Sequence, residues 1–153
     1  MADLVTQITE SVVLNGAARG STNSMTTTGI GDVLERIVTS FASTTTVIAA
    51  FAAQPHTSAS AIDVDRTRYI RVTNLDEVTT VTLSIQGTTT FSVVLKPLDS
   101  FILNGAEAVM SGSATTAPNI SLVDVKSIMV VNADATLNAR IELFVGIAEV
   151  PAT

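Results

Sequence analysis

Asp63-Val64-Asp65 is the one close carboxylate pair on a stretch that reads as extended. Side chains two residues apart on a strand share a face, so both oxygens could meet one Ca²⁺ there. The same pair is also the one dyad available to a hydrolase on a β-sheet scaffold. Arg66, Arg68 and Arg71 follow at once, and that mixture of signs favours a solvated, ion-paired rim over a metal or acid–base site. No further clustered oxygen ligands and no EF-hand spacing accompany the pair.

The other candidates for chemistry are weaker. His56, the sole histidine, sits in "QPHTSAS", with no cysteine anywhere in the chain to complete a zinc set or a thiol nucleophile. A hydrolytic triad needs a base held beside its nucleophile, and a lone loop histidine after a proline is expected to be solvated and idle. "GIGD", Gly29 to Asp32, lacks the third glycine and the strand–helix setting of a dinucleotide fingerprint. The sequon Asn119-Ile120-Ser121 is read as chance, since "MADLVTQITE" has no basic stretch followed by an apolar run that would mark a Sec-type signal. The sequence therefore nominates no catalytic, cofactor-binding or metal-binding residue, no cofactor, and no enzyme activity.

The elements that would have to position such groups are strands. The chain of 153 residues is long enough for one self-supporting domain, is 46% hydrophobic and only 14% charged, and is rich in Val, Ile and Thr. These β-branched residues pack well on a pleated surface. No window approaches eighteen consecutive apolar residues, which argues against a membrane helix. A net charge of −6 with only Lys96 and Lys126 as lysines argues against nucleic acid and anionic lipid as partners.

Alternation sets out the strands. "LVTQITESVVLNG" places Leu4, Ile8, Val12 and Leu14 on one face of a half-buried strand broken by Asn15-Gly16. Ala17 to Gly31, small and polar, reads as a long loop or arm. "DVLERIVTSF" admits a helical face at Val33, Ile37 and Val38, but the Thr/Ser run behind it favours a strand. "TTTVIAAFA" follows with Val47, Ala49 and Phe51 on one side, then a loop from Ala53 to Ala61. From Tyr69 the pattern sharpens. Ile70 and Val72, then Val81, Leu83 and Ile85, then Phe91, Val93 and Leu95, then Phe101 and Leu103 form inward sets separated by turn residues. Two more strands flank Asn132-Ala133-Asp134, the second carrying Leu137, Ala139, Ile141, Leu143 and Val145. Most of the phenylalanines and Tyr69 are expected in the core. The expected fold is all-β: a single-domain antiparallel sandwich or jelly roll, with residues 1–31 as N-terminal strand and polar arm and 32–153 as the core. "SVVLNGA" at Ser11 and "SFILNGA" at Ser100 echo each other, and shared Asn-Gly turn chemistry accounts for this better than duplication.

Threonine on the outer face of a strand keeps strand geometry and stays neutral. A Thr/Ser surface with few lysines costs little to desolvate, and Lys and Glu are depleted at interface centres for that reason. The faces thus predict contact with copies of the same chain or with a larger assembly.

The stretches "LNGAARGSTNSMTTTGIGDVLERIVT", "RYIRVTNLDEVTTVTLSIQG" and "FSVVLKPLDSFIL" resemble small β-sandwich structural proteins of tailed bacteriophages, in particular those of marine and cyanobacterial hosts. The likeness runs from Leu4 to about Val145 and rests on strands and turns. It implies a virion component made in the host cytoplasm. A capsid decoration (cement) protein on the major capsid protein, in a homo-oligomer with a trimer favoured, comes first. A neck or tail component, or a receptor- or glycan-binding module, is the alternative. Within that reading the segments Ala2–Gly16 and Ala17–Gly31 are candidates for inter-subunit contact, a flexible loop without a partner being the alternative.

Overall fold

The computed structural model describes residues 2–53, 61–87, 90–104 and 125–149. They form β1 (Ala2–Thr9), β2 (Val12–Leu14), β3 (Ala17–Arg19), β4 (Thr22–Ser40), β5 (Thr44–Ala52), β6 (Ile62–Asp63), β7 (Thr67–Asn74), β8 (Val81–Gln86), β9 (Thr90–Leu95), β10 (Ser100–Asn104), β11 (Ser127–Asn132) and β12 (Ala139–Ala148). One sheet has the order β1-β4-β12-β7-β10, a second the order β6-β5-β11-β8-β9, and β2-β3 is a small ribbon. Every pairing is antiparallel except the short β5–β6 bridge. The all-β, sandwich-like single domain expected from alternation is what the chain forms.

The core lies between the two sheets. Leu83, Ile128, Val130, Ile141, Leu143 and Val145 are completely buried, packed with Ile48, Val72, Val81 and Leu95. Phe91, Val93, Phe101 and Leu103 pack against them as alternation predicts. In β5 the simple alternation fails. The register shifts between Ile128↔Ala49 and Met129↔Val47, so Ile48 is an extra residue. This bulge turns Ile48 inward and leaves Val47 exposed. Leu137 precedes β12 and is exposed. Phe41 is exposed as well, while Tyr69 and Phe144 meet edge-to-face at 5.9 Å outside the core cluster.

The eight main strands obey an internal two-fold relation that the sequence hides. Exchanging β4, β5, β7, β8 with β9, β10, β11, β12 converts the order β4-β12-β7-β10 into β9-β8-β11-β5, which is the other sheet. Registers follow: Phe101↔Val72 becomes Thr46↔Val130, and Ile141↔Val38 becomes Leu83↔Val93. The two central pairs are out of step by one repeat of the pleat. The crossings β4→β5, β7→β8, β9→β10 and β11→β12 gather at one end.

Two of these turns share one wiring. Asn74 Nδ2 donates to the Thr79 carbonyl at 2.7 Å and its Oδ1 accepts from Asp76 N at 3.1 Å. Asn132 Nδ2 donates to the Leu137 carbonyl at 2.8 Å and its Oδ1 accepts from Asp134 N at 3.1 Å. Asp76 Oδ1 then accepts from Val78 N and Thr79 N, and Asp134 Oδ1 from Thr136 N and Leu137 N. Each asparagine also ties its turn to the neighbouring crossing: Asn74 to the carbonyls of Leu95 and Lys96, Asn132 to that of Ser40. The neighbouring crossings answer in kind, with Leu98 N donating to Asp76 O and Ser43 N to Asp134 O. Leu98 and Ser43 both sit at positive φ, 64° and 54°. Apolar strands bring the sheets together, and these buried amides set how the chain crosses between them.

Residues 17–31, expected as a long loop or arm, contain β3 and the first half of β4, which continues to Ser40. The Thr-rich stretch has little apolar content of its own. Its strand form comes from pairing with β1, a non-local partner that local composition does not reveal.

Candidate functional site

β1–β2 and β3–β4 are the two sides of one ribbon. The registers Thr9↔Thr22 and Val12↔Arg19 continue one another, and Asn15-Gly16, with φ of 51° and 77°, closes the tip. Two successive positive φ values are what a tight two-residue hairpin demands. Between the tip and the rest of the ribbon, Glu10 N donates to Ser21 O, and Gly20 (φ 138°) backs onto the Glu10 carbonyl where no Cβ fits.

At its base the ribbon bends over the outer face of the first sheet. Gly29 has φ 73°, and a Cβ on Gly31 would press on the backbone of Glu149 at 2.6 Å. Ile30 pairs with Ala2 on one edge and Ala148 on the other. The glycines of "GIGD" therefore serve a strand bend. Thr27 and Met25 meet the side chain of Asn104 at 3.4 and 3.1 Å, holding the ribbon to β10. Leu4, Val5, Thr6 and Gln7 line one side of an open cleft of about 310 Å³, and Tyr69, Arg71, Ile102 and Phe144 line the other. Arg71 is engaged there through Nη1. It lies 5.8 Å from the Phe144 ring centre and donates at 2.6 Å to both Glu142 and Thr73.

Beyond its base the ribbon is bare. Val12, Val13 and Leu14 are 55%, 71% and 57% exposed, although alternation assigned Ile8, Val12 and Leu14 to a half-buried face. From Ala2 to Gly31 the only charged residues are Asp3, Glu10 and Arg19. A second apolar surface lies at the end where the crossings gather, with Phe41, Val78, Leu98 and Leu137 all exposed on its turns. Asn-Gly between two short apolar runs was the signal for the hairpin, but its tip reads as core because a lone sequence does not say which apolar residues find partners.

The carboxylate pair is not brought together as a site. Asp63 ends β6 and is buried, while Asp65 lies in the following turn and is exposed. Asp63 Oδ2 accepts from Arg66 Nε at 2.6 Å and Oδ1 from Asp65 N at 3.0 Å, so each of its oxygens accepts a bond within the turn. The Arg66 hydrogen bond holds its carboxyl below the ordinary range. Of the three arginines that follow, Arg66 pairs with Asp63, Arg68 donates to the Asp65 carbonyl and Arg71 pairs with Glu142. Among the described residues no three His, Cys, Asp or Glu side chains converge on a metal position. His56 and the Asn119 sequon lie outside the described residues.

Compared with family models, curated proteins and solved structures, the chain matches none of them.

Proposed function

We propose that this chain is a structural component of a tailed-phage particle, working by contact with its neighbours and hosting no reaction. Capsid decoration is the place we assign it, on the major capsid protein and as a homo-oligomer, a trimer by preference. The observation that carries this reading is apolar surface where an isolated domain has no use for it: the bare ribbon tip and the apolar end of the sandwich. Contiguous exposed apolar area marks interaction sites, and scarce lysine and glutamate lower the cost of covering it.

A neck or tail position would use the same surfaces at lower copy number. A glycan-binding module calls for a cluster of open aromatic rings, whereas among the described residues Phe41 alone is exposed, Tyr69 being buried and Phe144 half-buried beneath the ribbon, which favours the structural reading.

Quantitative mass spectrometry of purified particles is the test. Hundreds of copies per particle support decoration, a handful moves the chain to the neck or tail, and absence from particles overturns the proposal.

A further inference from the structure

The internal two-fold relation makes the outer edges of β4 and β9 equivalent, and the two are finished differently. Carrying Val38 onto Val93 and Ser40 onto Leu95 places Glu35 and Arg36 where β9 has Thr90 and Phe91. The β4 edge is guarded in the ways that keep edge strands apart. Asp32 Oδ1 accepts from Val33 N at 2.8 Å, and Glu35 stands exposed. Arg36 turns inward and donates to the Ile48 carbonyl of β5, closing the seam between the sheets. On the β9 side the seam is closed by Phe91 and Phe101, their rings 5.9 Å apart and both only half-buried. From Thr90 to Leu95 there is no charge, no proline and no bulge. Among the described residues nothing pairs with the outer edge of β9.

The ladders fix which backbone groups that edge leaves free. Phe51 N donates to the Lys126 carbonyl, so even-numbered residues at the start of β11 bond to β5 and odd-numbered ones to β8. Ser127, Met129 and Val131 then bond to Gln86, Ser84 and Thr82, which leaves Val81, Leu83 and Ile85 for β9. Their partners Leu95, Val93 and Phe91 are thereby spent. Thr90, Ser92 and Val94 point their N–H and C=O groups sideways, away from β8. The same three residues carry the exposed side chains of the strand.

We propose that β9 pairs antiparallel with β9 of a second copy about a two-fold axis at Ser92, so that the second sheet runs on from one molecule into the next. Only the even-numbered residues can bond across this edge. A two-fold at Ser92 sets Ser92 against its own mate and Thr90 against Val94 of the second copy, and the reverse. Those pairs exchange about six backbone hydrogen bonds. On the inner face Phe91 lies opposite Val93 of the second copy, an aromatic against a β-branched side chain in the closer, non-hydrogen-bonded position. Both are half-buried in the single chain and pack against its core, so pairing covers apolar side chains as well as backbone. No charge is buried at the seam. Every sideways group of β9 is satisfied by the identical strand, which makes a second copy the occupant. A lipid surface fits less well, since it leaves those groups unpaired.

The contact is isologous and joins copies in pairs, whereas a trimer closes through a cyclic contact on other surfaces, so a chain using both bridges one ring to the next. A single strand pair is smaller than the roughly 1,200 Å² typical of a stable interface, so pairing rises with concentration and is fullest in an array. This inference rests on the assembly reading above for its biological use, but not for its test.

Like charges placed at the axis test the pairing. Ser92 is exposed, and S92K or S92E in the full-length protein costs one hydroxyl bond to Ser84 at 3.0 Å while leaving the core intact. In sedimentation each variant alone is expected to associate at least about ten-fold more weakly than the parent, because identical charges then face each other. An equimolar mixture of the two is expected to recover the association as a mixed pair. The chain has no cysteine, so Ser92→Cys treated with a short thiol cross-linker is expected to give a dimer band. Val47→Cys, exposed on β5 of the same sheet, is expected to give none. A monomer at every concentration, association indifferent to both charges, a mixture no stronger than its components, or equal linking at Val47 overturns the inference. A monomer that is nonetheless abundant on particles would sink this contact and leave the particle reading standing. A chain that pairs with this charge dependence but is absent from particles would do the reverse.

Discussion

Replacing Asn132 by alanine removes a buried amide that works in three directions. Its Nδ2 holds the carbonyls of Leu137 (2.8 Å) and Ser40 (3.2 Å), and its Oδ1 holds Asp134 N (3.1 Å). Each such bond contributes about 1 kcal/mol net, and the stranded groups keep part of their desolvation cost, so the loss is about 3 kcal/mol. That is a large share of the roughly 5–15 kcal/mol that holds a domain together. For a chain of this size it corresponds to a fall in Tm of about 6–12 °C. Asn74 makes the same contacts in the related turn, with two amide hydrogens shared among three carbonyls, so Asn74→Ala is expected to cost the same within error. Asparagine→aspartate at either position supplies a control. It keeps the acceptor but aims a carboxylate at carbonyl oxygens, so it is expected to be at least as damaging as alanine at neutral pH and to recover partly in acid. Thermal melts followed by circular dichroism would decide. If both alanine variants melt within about 2 °C of the parent, the amides are not what sets the crossings and the two-fold wiring is incidental.

Three further outcomes are expected. Asp76 and Asp134 accept backbone N–H bonds that hold their carboxyls below the ordinary range, and Arg66 does the same for Asp63. Carboxyls depressed in the folded state contribute stability that is complete above the unfolded value, about pH 4, and is lost as pH falls through the folded values. Melting temperature should therefore be flat near neutrality and drop below about pH 4, with a shallower drop in Asp76→Asn. Leu143→Ala, at a fully buried position, should cost about 2–5 kcal/mol in denaturant titrations, while Val47→Ala beside the β5 bulge should cost under about 0.5; equal losses would contradict the bulge. Gly20→Ala forces a Cβ against the Glu10 carbonyl and should speed proteolytic cleavage at the ribbon tip while leaving the core melt nearly unchanged.

How far the molecule could be read in advance depends on the range of the interactions involved. Val81, Leu83 and Ile85, or Ile141, Leu143 and Val145, announce their inward face because the pleat repeats every second residue and one face must leave water. The turns at Asn74-Leu75-Asp76 and Asn132-Ala133-Asp134 were equally visible, since Asn and Asp bond locally to the backbone ahead of them. That the two turns are equivalents under one rotation was not visible, because few of the strand residues they join match each other. The one echo the sequence does show, Ser11 to Ala17 against Ser100 to Ala106, places β2 in the ribbon and β10 in the core sheet, two unlike settings.

By itself the chain determined an all-β domain, the inward sets of its middle and C-terminal strands, and a surface poor in charge, all of which follow from residue type and spacing along a strand. Only the tertiary structure decided that residues 17–31 are strand, that Ile48 and not Val47 faces the core, that Asp63 is spent on Arg66, and that Val12 to Leu14 stand in solvent. Each of these turns on which distant segment lies alongside. Backbone pairing and burial are settled between segments far apart in the chain, and composition within one segment carries no record of the other.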